Sequence, residues 1–119
     1  MKQITEKNFV NDKINLKKPG LLLVRADWCG YCKRYMPTYE KLSKMFPENG
    51  DFLITDIESK ELEKPSVSRV LENFVKYYPT LLFFDSQGNI VQRYEGDREN
   101  LPEVLKKICS MYKVCKKNR

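Results

Sequence analysis

The sequence predicts an α/β domain, with a mixed central sheet of about four strands flanked by helices on both faces. Three observations predict it. Short apolar runs such as "LLLV" (21 to 24) and "TLLFF" (80 to 84) are continuous rather than alternating, as in strands buried on both sides. Segments with helical spacing, such as Val67, Val70, Leu71, Phe74 and Val75, lie between these runs, and this alternation places helices on the faces of a sheet. A chain of 119 residues with 41% hydrophobic content is long enough for one core and short for two. One domain is therefore expected over residues 1 to 115, followed by a basic tail at 116 to 119.

Phe9, Val10 and Ile14 in an otherwise polar stretch predict a short helix from about Glu6 to Asn15, closed by Pro19 and Gly20. "LLLVRA" then predicts a buried strand. A helix is expected from about Cys29 to Phe46, with Pro37 kinking it near its second turn, because proline brings no N–H to the ladder. "PENG" reads as the turn into a second strand, "DFLITDI" (51 to 57), and "SVSRVLENFVKY" (66 to 77) as a helix capped by Ser66. "TLLFFD" and "NIVQRYEG" flank "SQG", which predicts an antiparallel hairpin. The last helix, about Leu101 to Tyr112, gathers Leu101, Val104, Leu105, Ile108 and Tyr112 on one face and tolerates Pro102 in its first turn.

The longest apolar runs fall far below the roughly 18 residues of a membrane helix, so no membrane partner is expected. The N-terminal "MKQITEKNFVNDKINLKK" lacks the apolar core and cleavage site of a secretory signal, and the expected location is cytoplasmic. A reducing compartment makes a closely spaced cysteine pair catalytic or metal-binding more often than structural. The net charge of +6 is concentrated only near the end, in Lys106, Lys107, Lys113, Lys116, Lys117 and Arg119. Without interleaved aromatics this is a solubilising face, and no nucleic-acid partner is expected. A monomer is expected.

The chemistry concentrates in "WCGYC", residues 28 to 32. If Cys29 opens a helix directly after a strand, the unpaired N–H groups and positive end of that helix stabilise an anionic sulfur there, making Cys29 the better nucleophile. Cys32 lies three residues on, on the same helix face and within disulfide reach, one turn deeper and less accessible, which suits a resolving thiol. Lys33 adds positive charge, Gly30 lets a substrate chain approach, and Trp28 offers apolar surface beside the sulfurs. Zinc is the competing use, but C-x-x-C is half a site and the chain has no histidine. Cys109 and Cys115, spaced C-x5-C, fall outside the usual ligand spacing. Cys109 is expected to pack at the core edge and Cys115 to be an exposed tail thiol. No metal and no bound cofactor are expected, only a redox-active disulfide formed by Cys29 and Cys32.

"ADWCGYCKRYMP" resembles the active-site segment of the thioredoxin superfamily, W-C-x-x-C-K followed by a helix-kinking proline, here Pro37. "YYPTLLFFDSQGNIVQRYEG" is similar to that family's stretch from a cis proline through a Gly turn to a strand ending in Gly. The resemblance covers nearly the whole chain and implies a thioredoxin fold with a cis Tyr78–Pro79 bond, where the backbone of Tyr78 would pair with an extended substrate segment. It implies a protein-disulfide oxidoreductase whose partners are protein disulfides and a reductase or thiol pool. An oxidase or isomerase of the protein disulfide isomerase type is the alternative, and a redox-inactive binding module of the same fold the alternative of another class.

Four departures qualify the resemblance. The buried acid that thioredoxins and disulfide isomerases carry six residues before the first cysteine is replaced by Leu23, so water is expected to take the Cys32 proton, slowly. Asp27 is expected to be exposed and Asp56 to lie at a strand end. Tyr31 stands where relatives have proline or histidine, which suggests a potential between about −270 and −180 mV. "YEGDRENL" points the other way: it resembles the disulfide isomerase pattern in which an arginine, here Arg98, reaches toward the second cysteine. Tyr77, where a small residue is common, and an inserted "ESKELEKPSVS" should reshape the substrate groove.

Overall fold

The run at residues 20 to 25 forms the middle strand of the sheet, and its neighbours follow from which faces its side chains bury. A computed structural model describes residues 1–115. In chain order it contains β1 (Lys2–Gln3), β2 (Phe9–Val10), β3 (Lys13–Ile14), β4 (Gly20–Arg25), α1 (Gly30–Ser43), β5 (Leu53–Glu58), α2 (Pro65–Leu71), β6 (Thr80–Phe84), β7 (Ile90–Arg93) and α3 (Leu101–Met111). The main sheet has the order β1-β5-β4-β6-β7. β1 and β4 run parallel to β5, while β6 is antiparallel to both β4 and β7.

Successive side chains of a strand point to opposite faces, and the core divides accordingly. Leu21 and Leu23 of β4, with Leu81 and Phe83 of β6, pack against Tyr35, Tyr39 and Leu42 of α1 and Val104 and Ile108 of α3. Leu22, Val24, Leu82 and Phe84 pack on the other side against Val67 and Leu71 of α2 and Phe9 and Ile14. Both faces of β4 and β6 are therefore dry, which is why their sequences are apolar without alternation.

Four expectations need correction. No helix forms over residues 6 to 15: a single 3-10 turn, Glu6–Asn8, leads into the β2–β3 hairpin, a separate two-stranded sheet. Asn11 and Asp12 adopt left-handed φ values of 53° and 63°, the backbone that a tight hairpin turn requires and that these two residue types tolerate. The main sheet has five strands rather than about four, because Lys2–Gln3 adds an edge beside β5. The third helix is half the expected length. α2 ends at Leu71, Phe74 and Val75 turn back to the Leu71 carbonyl, and Tyr78, preceding a proline, is kept out of helical backbone. Its start is Lys64 with Pro65 at the first position, without a side-chain cap, and the Ser66 hydroxyl is buried with no hydrogen-bond partner.

The fourth correction concerns the C-terminal thiols. α3 stops at Met111, and Tyr112 is extended at φ −131° and ψ 147°. The chain reverses there, bringing the Cα atoms of Cys109 and Cys115 to 5.4 Å, and the two are joined in a disulfide. They are neither a lone core-edge cysteine nor a free tail thiol. The tail at 116 to 119 lies outside the described residues.

Candidate active site

The site is built where β4 hands the chain to α1. β4 ends at Arg25, opposite Glu58 in the parallel register with β5. The Glu58 carboxylate accepts the backbone N–H of Asp27 and of Lys60, each at 2.7 Å. Burial pushes this carboxyl up, but those N–H bonds outweigh it and hold it below the usual carboxylate range. Arg25 adds a second tie, donating to Asp56 at 2.7 Å and to Asp27 at 2.8 Å. Asp27 is exposed; Asp56 is buried inside β5 and committed to Arg25. Strand end and loop are thus fixed before the first cysteine is reached.

Cys29 is the N-cap of α1, its N–H donating to the Ala26 carbonyl at 3.0 Å. The Sγ of Cys29 accepts the N–H of Cys32 at 3.2 Å, so sulfur does here what a serine or aspartate oxygen does at other helix starts. An N–H aimed at sulfur from the positive end of a fourteen-residue helix stabilises negative charge on that atom. Both cysteines are free thiols, 6% and 1% exposed, and they cluster with Ala26 and Tyr78. The Tyr78–Pro79 peptide bond is cis, and the Tyr78 carbonyl faces the Cys29 thiol at 3.8 Å.

Cys32 sits deeper. Burial first, then the hydrogen bond with Cys29, push its thiol up to about 11, while the Ala26 backbone and the positive charge of Arg98 pull it back. Leu23 is fully buried and pairs in register with Asp56 and Leu81. A cleft of about 140 Å³ lined by Arg25, Ala26, Asp27, Cys32, Lys33 and Met36 approaches the Cys32 side of the helix.

The sequence-identified residues divide by position. Trp28 and Tyr31 are 73% and 68% exposed on either side of Cys29, with Trp28 edge-on to Tyr78 at 5.7 Å between centroids. The Arg34 guanidinium covers the Tyr31 ring at 4.6 Å. A Cβ on Gly30 would meet only the Arg34 side chain, at 3.5 Å, so Gly30 leaves open space above the helix tip. Lys33 is exposed on the rim of the cleft. Pro79 is buried, and Tyr77 stands out beside it with Arg93 5.6 Å above its ring. Arg98 comes from the loop before α3 and lies with its Cζ 5.7 Å from the Tyr35 ring. Cys109 and Cys115, at the end of α3, take no part.

Two contributors escaped sequence reading. Glu58 carries a signal only in retrospect, as a carboxylate ending the strand paired with β4. Tyr35 reads as an ordinary apolar position of α1, yet it is the ring on which Arg98 rests. Among the described residues no cluster of three or more His, Cys, Asp or Glu side chains is placed to hold a metal ion, and no helix is long and apolar enough to cross a membrane.

The family model described as Thioredoxin matches residues 1–108. A protein disulfide-isomerase of Schizosaccharomyces pombe is 38% identical over 103 residues, covering 84% of this chain and 28% of that protein. The chain thus spans less than a third of the length of that curated relative. The first thioredoxin domain of mouse protein disulfide-isomerase A4 superimposes with a TM-score of 0.69 at 28% identity, over 92% of this chain and 73% of that one. Thioredoxin F from spinach chloroplast shares the fold, with a TM-score of 0.64 at 21% identity over 92% of this chain and 84% of that one.

Proposed function

The chain belongs to the thioredoxin family, and on that premise we propose that it is a thiol-disulfide oxidoreductase acting on protein disulfides through Cys29 and Cys32. The observation that carries this reading is the Cys29 sulfur capping α1, accepting the Cys32 N–H at 3.2 Å beside the Tyr78 carbonyl. In the reducing direction the Cys29 thiolate attacks one sulfur of a substrate disulfide, forming a mixed disulfide and releasing the other sulfur as thiolate. Cys32, once deprotonated, attacks Cys29 Sγ, forms the Cys29–Cys32 disulfide and releases the second substrate thiolate. Two electrons pass to the substrate, and an external reductase or thiol pool returns them. Arg98 assists by placing positive charge near the Cys32 thiolate.

The substrate segment lies extended against Tyr78 and Pro79, pairing with the backbone of Tyr78. Trp28, Tyr31 and Tyr77 form an exposed aromatic rim that suits an unfolded or flexible protein chain. Residues 1 to 115 act as one domain and as a monomer.

A reading in which the pair oxidises or isomerises protein disulfides is favoured by the Cys109–Cys115 disulfide, which is at home in an oxidising compartment rather than a reducing cytoplasm. The curated relative named above as a disulfide isomerase points the same way. The activity itself is tested by insulin reduction with a dithiol donor. It should be abolished in Cys29→Ser, and an undiminished rate would refute the assignment. Equilibration with glutathione then gives direction, since a potential near that of thioredoxin, about −270 mV, marks a reductase and one near about −180 mV an oxidase or isomerase.

A further inference from the structure

We propose that Tyr35 is the positioning residue that holds the Arg98 guanidinium beside Cys32. The proposal rests on the reading that Arg98 assists Cys32, and it assigns a role to a residue that otherwise looks like core.

Arg98 is half-buried, its Nε is enclosed without a hydrogen-bond partner, and it forms no ion pair among the described residues. An enclosed N–H of a cation is costly unless an anion or a hydrogen-bonding partner meets it. The Tyr35 ring meets it instead, with Arg98 Cζ 5.7 Å from its centroid, inside the range at which an aromatic face attracts a guanidinium. A ring differs from a carboxylate in what it leaves behind. A salt bridge would neutralise the cation, whereas a ring face holds it in place with its charge undiminished and available to an anion nearby.

The anion in question arises on the same helix. Tyr35 follows Cys32 by three residues in α1, so the two side chains share a helix face. Both are buried, 0% and 1% exposed. Burial raises both the Cys32 thiol and the Tyr35 phenol, and the positive charge of Arg98 acts against that rise at each; its contact with the Tyr35 ring sets the guanidinium on the helix face that Tyr35 shares with Cys32. The other charged or titratable groups facing Cys32 are Cys29, Tyr78, Arg25, Asp27 and Lys33. Of these, Arg25 is occupied by Asp56 and Asp27, and Lys33 is exposed to solvent. Asp97, Glu99 and Tyr94 act on Tyr35 in the sense opposite to Arg98, but none forms an ion pair with it among the described residues. Arg98 is left as the half-buried, unpaired cation, and Leu23 supplies no carboxylate on the strand beneath. The Tyr35 hydroxyl has no hydrogen-bond partner either, so the aromatic face, rather than the hydroxyl, is the part of the side chain in use.

The test follows Cys32 directly. Reduced protein is mixed with an aromatic disulfide reagent whose released thiolate absorbs light. The first release reports attack by Cys29; the second reports attack of Cys32 on the mixed disulfide, and its rate is followed from mildly acid to alkaline pH. Tyr35→Leu should move the midpoint of the second phase to higher pH and slow it near neutrality by about three- to tenfold, the scale of a lost cation–π contact. Tyr35→Phe, which keeps the ring, should restore both. The double variant Tyr35→Leu, Arg98→Gln should be no slower than Arg98→Gln alone, because both changes remove one interaction. If Tyr35→Leu does not fold, Tyr35→Met, unbranched and ringless, takes its place in the same series. An unmoved midpoint in the ringless variants while Arg98→Gln shifts it, or losses that add in the double variant, would overturn the Tyr35 assignment and leave Arg98's role standing. An unmoved midpoint in Arg98→Gln itself would remove both.

Discussion

Cys32 is held protonated by burial first and then by its partner. Its hydrogen bond and charge interaction with Cys29 both act to raise it, and both disappear once Cys29 is tied up in a mixed disulfide. In the exchange proposed above, Cys32 therefore becomes easier to ionise at the step where it would attack. Cys29→Ala should reproduce this. The Cys32 thiol, followed by its thiolate absorbance, should titrate below the value of about 11 that it has in the dithiol form. An unchanged or higher value would show that burial alone sets it. The sign for stability follows as well. A thiol raised in the folded state binds more protons there than in the unfolded chain, so the dithiol protein loses stability as pH climbs from 9.0 toward about 11. At this scale the sequence was informative about the sulfurs and their neighbours, because W-C-x-x-C-K and the later proline are local patterns. Tyr35 and Glu58 were not legible, because their roles depend on what a loop and a neighbouring strand bring to them.

Elements were legible in proportion to their length. β4 and β6 are continuous apolar runs with both faces covered, and α3 has one clear apolar face. Phe9, Val10 and Ile14 are too few to fix a period, and a hairpin of two-residue strands leaves almost no alternation to read; the signal lay instead in Asn11-Asp12, a pair that accepts left-handed backbone. The hairpin is held from outside by the turn between β6 and β7, where the Ile14 N–H donates to the Gly88 carbonyl at 3.0 Å. Gly88 has φ +91°, and a Cβ there would sit 2.7 Å from the Ile14 nitrogen. Gly88→Ala should therefore cost about 2 kcal/mol or more, from left-handed strain and the displaced hairpin together. Urea unfolding measures it, and a loss below about 0.5 kcal/mol would mean that the hairpin moves freely.

For the molecule as a whole, the layered plan was readable from the order of elements, whereas closure of its end was not. A helix continued to Tyr112 would carry Cys115 away from Cys109; the break after Met111 brings them together. The reversal also turns Tyr112 inward, its hydroxyl donating to the Phe84 carbonyl at 3.1 Å and its ring 5.0 Å from that of Phe52. The loop closed by Cys109 and Cys115 is short, and on chain-entropy grounds Cys115→Ser should lower stability by about 2 kcal/mol in chemical denaturation. Unaltered stability would show that Tyr112 packing alone secures the end of α3. The surface around the cysteine pair offers a different opportunity. Trp28 is the chain's only tryptophan, and it stands 73% exposed against Tyr78, beside the cysteine pair. Indole fluorescence from this protein therefore comes from a single place. A polypeptide settling over that rim would shift the emission to the blue, and closing or opening the adjacent sulfur bridge would change its intensity, so the native protein carries an unlabelled optical gauge of its own occupancy and oxidation.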